Sequence, residues 1–160
     1  AGRVLGTAHP VERAAFTDFV RRAFALRRAE PLLRLGVHFT GEETAAGVDL
    51  SWRRVDGAPM EEADWEDPER RCLAALACAA PLIPAIPPAE RGRARDLVIL
   101  LNASDHAVPF ALPEGPWEVL LDSGLAAHPS GVEVVAEHYQ VAPTSVVVLG
   151  APHEGRAVGH

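Results

Sequence analysis

Lysine is missing from this chain: all 15 basic residues are arginine, and 22 acidic residues give a formal net charge of −7. A phosphate-binding loop of the GxxxxGK[ST] type needs the absent lysine, which excludes that class of nucleotide site. A nucleic-acid binder needs a basic face to displace phosphate counterions. Here the arginines come instead as isolated pairs, Arg21-Arg22, Arg27-Arg28, Arg53-Arg54 and Arg70-Arg71, so no nucleic-acid partner is expected. The arginine and alanine bias fits a GC-rich coding sequence better than any special chemistry.

Long apolar runs are also missing. None reaches the roughly 18 residues of a membrane-spanning helix, so no membrane contact is expected. The first residues lack the basic-then-apolar pattern of a secretory signal, although a cleaved signal would leave no trace. Cysteine is scarce: Cys72 and Cys78 are the only two. On a strand they would lie roughly 20 Å apart. On a helix they would lie about 9 Å apart along the axis. Neither spacing suits a disulfide, whose Cα atoms lie within about 7 Å. They read as small buried apolar residues in a reducing cytosol, and a cytoplasmic location is expected.

Recognisable catalytic constellations are absent as well. There is no G-x-S-x-G elbow and no HExxH. The seven histidines, His9, His38, His106, His128, His138, His153 and His160, are scattered. His128 and His138 could meet on adjacent strands and His106 lies in a turn, but nothing has zinc-ligand spacing. The carboxylates Glu61, Glu62, Asp64, Glu66, Asp67 and Glu69 form a dense acidic stretch. Glycoside hydrolysis needs two carboxylates facing each other across a cleft, roughly 5 to 10 Å apart. A stretch of this kind reads as solvated surface, with Asp67-Pro68 starting a turn. The expectation is no catalytic residue, no cofactor-binding residue and no metal ligand.

What is present is a 160-residue chain, 48% apolar, long enough for one domain with a buried core. A frayed lead-in over residues 1–8 gives way to a predicted helix from Pro10 to Ala29. Proline holds its favoured first position there, and Pro31 ends the helix. Phe16, Phe19, Val20, Ala23, Phe24 and Leu26 recur at helical spacing, while arginines crowd the C-terminal half, where cations suit the dipole. So broad a stripe needs a partner surface, and left uncovered it would be an exposed apolar patch.

After Gly36 the period shortens to two. Val37–Thr40 and Val48–Trp52 read as strands, with a loop over Glu42–Gly47 between them. Asp56-Gly57 is a turn. Glu61–Asp64 is a helical turn with Trp65 packed beneath it. Arg71–Ala80 is ambiguous by composition, because alanine and leucine favour helix. Pro81, Pro84, Pro87 and Pro88 predict a loop with no regular element. Asp96–Asn102 is a central strand, apolar on both faces. Ala107–Leu112, Trp117–Asp122, Val132–Glu137, His138–Val141 and Ser145–Leu149 follow as strands, and the tail after Gly150 reads as loose. Turns every 8–12 residues or so point to a sandwich or barrel. Trp52 and Trp117 are expected in the core, and Trp65 is expected to be buried too.

Several of these residues carry a family resemblance. Leu26-Arg27-Arg28-Ala29-Glu30-Pro31 is followed by Trp52, Asp56-Gly57, Met60, Asp64-Trp65, Asp67-Pro68 and Arg71. Then come Leu100-Leu101-Asn102-Ala103, Phe110-Ala111-Leu112-Pro113 and Trp117 to Asp122. This order resembles the C-terminal portion of glycogen debranching enzymes and isoamylases of the alpha-amylase superfamily, over about Phe16 to Leu149.

The resemblance implies a strand over Arg71–Ala80 and a mainly β fold, an antiparallel sandwich of about 7–8 strands preceded by one amphipathic helix. It implies a helical segment over 1–35 that ends a catalytic barrel, a β-sandwich over 36–150 and a loose tail over 151–160. The family's nucleophile, general acid and stabilising aspartate have no counterparts in this sequence. The implied role is non-catalytic support of an upstream barrel that hydrolyses α-1,6 linkages of glycogen or a related α-glucan. Trehalose-releasing hydrolases have similar tails. A free-standing carbohydrate-binding module, contacting α-glucan, is the first alternative. The second is an interaction domain that docks a partner or a second copy through the Phe16–Phe24 helix face.

Overall fold

The computed structural model describes residues 10–125, 131–134 and 136–153. Helix α1 spans Pro10–Ala29, bounded by prolines at both ends. Pro10 loses nothing in the first turn, where its missing N–H would have no intrahelical partner. At the other end Glu30 takes extended backbone, ψ 113°, and Pro31 opens a 3-10 turn through Arg34, as expected for a residue that precedes proline.

Two short strands, β1 (Glu43–Thr44) and β2 (Gly47–Val48), pair as a hairpin. Strand β3 (Leu50–Arg53), helix α2 (Glu62–Glu66), β4 (Cys72–Ala77), β5 (Arg95–Asn102), β6 (Val108–Ala111), β7 (Glu118–Asp122), β8 (Val132–Glu133), β9 (His138–Val141) and β10 (Ser145–Pro152) complete the order. Six of the strands form one antiparallel sheet in the order β3-β4-β5-β10-β7-β8, and β6 pairs with β9 in a separate two-stranded sheet.

The second layer lies over one face of the large sheet. Ala74, Leu76, Val98, Leu100, Val119, Val147, Leu149 and Ala151 point from that face into a core closed by Phe110 and Val141 of the β6–β9 pair. Trp117 sits in it at 1% exposure, its indole N–H donating to the Pro113 carbonyl at 2.6 Å. Burying an indole without such an acceptor would cost free energy.

Asn102 fastens the two layers at one end. Its amide group donates to the carbonyls of His106, Val141 and Ala142, and its carbonyl oxygen accepts from the backbone and hydroxyl of Ser104. Tyr139 on β9 fastens them a second time, donating to Asp122 of β7 at 2.8 Å. Burial first, and then the neighbouring carboxylate, push the phenol of Tyr139 well above its ordinary range.

Several expectations are corrected. Val37–Thr40 is not a strand. The buried carboxylate of Asp49 accepts the N–H groups of Thr40 and Gly41, at 2.8 Å each, so a side chain takes the donors a ladder would have used. Burial opposes that charge, but the amides of Thr40, Gly41 and Leu50 and the Thr40 hydroxyl outweigh it, holding Asp49 below the usual carboxylate range.

Glu42–Gly47 is not a plain loop but holds the β1–β2 hairpin, whose turn closes on Gly47 at φ 100°. The proline-rich stretch keeps regular structure as 3-10 turns over Ala80–Ala85 and Pro88–Arg93. Pro81 and Pro88 sit in the first turn of each, where no donor is required, and only Pro84 falls inside a turn. Strand β8 stops at Glu133, and β10 runs on to Pro152 past the expected start of a loose tail. The expected lead-in, most of the tail, and His9, His128 and His160 lie outside the described residues.

Candidate functional site

The face of the large sheet turned away from β6–β9 is the candidate site. Registered partners share a face, and faces alternate along each strand. One cross-strand row is Leu50, Ala77 and Leu97. It is sealed by Leu32 next to α1 and by Leu82, Ile86 and Ala94 of the proline-rich segment.

The next row runs across five strands: Trp52, Ala75, Ile99, Val148 and Leu121. Beyond it lie Leu73, Leu101 and Val146. Here the cover thins. Ile99, Leu73 and Leu101 are half-buried, Val146 is 37% exposed, and Trp52 is 40% exposed. The expected core position of Trp52 is therefore corrected. Its strand is the sheet's edge, and its side chain extends an apolar row past the end of the available cover.

Trp65 is 53% exposed and is likewise not buried. Its ring meets that of Trp52 edge to face, with centroids 5.7 Å apart and planes at 84°. The backbone beneath is held firmly. The Met60 N–H donates to the Trp52 carbonyl. Asp64, buried on α2, accepts the Glu61 N–H at 2.8 Å, and the Glu61 side chain accepts in return from the Asp64 backbone, a reciprocal cap. The Arg70 guanidinium donates to the Asp64 carboxylate at 2.5 Å and to its carbonyl at 3.0 Å. Arg54 lies 3.6 Å from the same carboxylate. A buried carboxylate needs this pairing, and the result is a rigid mount for a tryptophan that stays on the surface.

Helix α1 contributes a second apolar patch. Phe19, Val20, Ala23 and Leu26 are half-buried, but Phe16 and Phe24 are 68% and 57% exposed, so the predicted stripe is only partly covered. At the helix end Glu30 is buried with one carboxylate oxygen lacking a hydrogen-bond partner. Arg95 lies 3.7 Å from the other oxygen and gives its closer contact, 2.9 Å, to Glu118. Burial, only partly offset by Arg95 and Arg93, raises the Glu30 carboxyl above its ordinary value.

The remaining polar groups have structural partners. Asp67 accepts the Glu69 N–H. The Ala58 N–H, ahead of Arg54, holds Asp56 low, and His106, within 3.0 Å, does the same for Asp105. His153 donates to the Ala94 carbonyl. Cys72 and Cys78 pack against the first-face core. Among the described residues no group of three His, Cys, Asp or Glu side chains could hold a metal ion, and no helix is long and apolar enough to cross a membrane.

The open rows were missed from sequence, although a signal existed. Leu97, Ile99 and Leu101 on one parity of β5, and Val98 and Leu100 on the other, require cover on both faces.

Residues 89–148 match a family model described as Domain of unknown function (DUF3459). A "Glycogen operon protein GlgX homolog" of Mycobacterium tuberculosis is 27% identical over 146 residues, covering 86% of this chain and 20% of the relative, and a Mycobacterium bovis protein of the same name matches equally. The chain thus spans about a fifth of the length of the curated relatives it matches. Among solved structures, an isomaltulose synthase from Erwinia rhapontici is 12% identical with a TM-score of 0.40, covering 82% of this chain and 17% of that one. A trehalulose synthase from Pseudomonas mesoacidophila is 20% identical with a TM-score of 0.35, covering 68% and 15%. The chain is similar to the C-terminal region of alpha-amylase-family glycoside hydrolases.

Proposed function

We propose that this chain is the non-catalytic C-terminal β-domain of a glycogen-debranching enzyme that hydrolyses α-1,6-glucan linkages, and that it supports the catalytic barrel. One observation carries the reading: the similarity to a glycogen operon protein covers 86% of this chain but only 20% of the relative. In this reading residues 1–35 close the barrel, and the supporting domain that follows runs to the end of β10 at Pro152, with the tail beyond it. In this reading the enzyme works in the cytoplasm, as the glycogen operon relative suggests.

The test is reducing-sugar release from glycogen, limit dextrin and pullulan. The isolated chain is expected to release none, and the full-length product of its reading frame is expected to debranch. Sustained release by the purified chain, or a reading frame that encodes no further domain, overturns the proposal.

One observation favours a second reading as a carbohydrate-binding module, namely two tryptophans on the surface. Their planes, at 84°, give a sugar chain one ring to stack on rather than a flat pair.

A further inference from the structure

We infer that the open end of the second face, formed by Trp52, Ile99, Leu101, Leu73 and Val146 with Trp65 at its corner, seats an apolar, arginine-rimmed protein surface. That surface belongs to the portion of the longer polypeptide that the matched relatives carry outside this region. The inference rests on the reading above and adds where the two portions meet.

The sequence demands cover that the described residues do not supply. Strands β4, β5 and β10 are apolar on both parities, a pattern found where both faces are buried. On the first face that demand is met in full. On the second it is met over the Leu50–Ala77–Leu97 row and at Ala75, Val148 and Leu121 of the next row, but fails at half-buried Ile99, Leu73 and Leu101 and at the more exposed Val146 and Trp52. The matched relatives place about four fifths of their length outside this region, which is ample to provide the missing layer.

The corner is built for contact. Asp64, Arg70, Arg54 and the Glu61 cap hold the short helix that carries Trp65, and the ring itself rests edge-on against Trp52, so two indoles are presented together at the surface. Exposed Glu62, Glu66 and Glu69 flank Trp65, so a partner rimmed by arginine is favoured electrostatically. The same carboxylates disfavour a second copy of this chain, because a two-fold axis through the corner would set like charges against one another. The edge-to-face rings disfavour a glucan.

Hydroxyl-radical footprinting, read by mass spectrometry at single residues, tests this directly, with buried Trp117 as the internal control. In the isolated chain Trp52 and Trp65 should oxidise readily. In the full-length product both should be protected by roughly threefold or more, as in the dry centre of an interface. Trp65→Ser and Val146→Arg, both at surface positions, should each return Trp52 in the full-length product to the rate seen in the isolated chain while Trp117 stays protected. If one variant also exposes Trp117, the other decides.

Equal oxidation in the chain and in a full-length product that still debranches overturns this inference and leaves the proposed function standing. Protection of both indoles in the isolated chain by maltoheptaose assigns the corner to sugar. Protection that disappears on dilution assigns it to a second copy. Either result overturns the inference.

Discussion

The large sheet treats its two faces differently, and its tryptophans show how. Trp117 lies against the first face, enclosed by the β6–β9 layer, with its N–H satisfied. Trp52 extends from the second face past the last covering residue, and Trp65 stands beside it on a mount of buried charges. The residue type is the same, but whether a second layer lies above decides its energetic role. Amphipathic alternation tells which face a side chain joins. It does not tell whether the chain itself provides something to cover that face.

The comparison breaks first at Trp117. Trp117→Ala should cost about 3–5 kcal/mol, because it removes a large buried ring and leaves a cavity between two sheets that cannot collapse fully. Thermal denaturation should show a large fall in Tm for this variant. A Tm close to that of the parent chain would mean that the first face is not the sealed one.

Asp64 ranks next and sharpens the contrast at the other tryptophan corner. Asp64→Ala leaves Arg70 and the Glu61 N–H without their acceptor, at a cost of about 1–3 kcal/mol. The loss should come with freer motion of Trp65, measured as lower fluorescence anisotropy. An intact Tm with unchanged anisotropy would show that the mount is ornamental.

Much of this was legible in the sequence, and the misses have physical causes. The ends of α1 follow from two prolines, and β5 follows from an apolar run too short and too branched for a helix. Alanine content alone favours helix over Arg71–Ala80, but the strand that the resemblance implies is the one that forms, β4, because pairing with β3 and β5 outweighs a weak local preference. Val37–Thr40 alternates like a strand, but its donors go to Asp49, nine residues from Thr40, a contact no local pattern reveals. The exposure of Trp52 is a matter of sheet order. Edge position is set by which strands pair, and period two reads the same at an edge as at a centre. The open rows of the second face were not legible, because they consist of ordinary core residues that lack an upper layer.

Glu30 gives a smaller effect, on the second face's own anchor. Its folded value is raised, so the folded chain holds this proton to higher pH than the unfolded chain does. The stabilisation is therefore complete below the ordinary glutamate range and is lost as pH rises through the raised folded value. Facing it are Arg95, Arg93 and Glu118, which leave one oxygen unsatisfied. Glu30→Gln should remove this component, so that the variant gains stability relative to the parent between mildly acidic and neutral pH. Parallel Tm profiles for the two proteins across that interval would count against a poorly satisfied charge at the end of α1.

The smallest effect is expected on α1, at the exposed end of its apolar stripe. Phe16 is 68% exposed, so most of its ring is already in water and little hydrophobic free energy can be lost on removing it. Serine and phenylalanine also have similar helix propensities. Phe16→Ser should therefore change the isolated chain's stability by no more than about 0.5 kcal/mol, a Tm shift far below that of Trp117→Ala. The half-buried Phe19 on the same stripe, which does have contacts, should be more costly to replace, and the pair of substitutions measures how quickly cover fades along the helix. A Phe16→Ser loss as large as that of Asp64→Ala would mean that α1 is clamped onto the sheet along its whole length. The second face would then carry its own lid, and the contrast between the two faces would fail at its widest point.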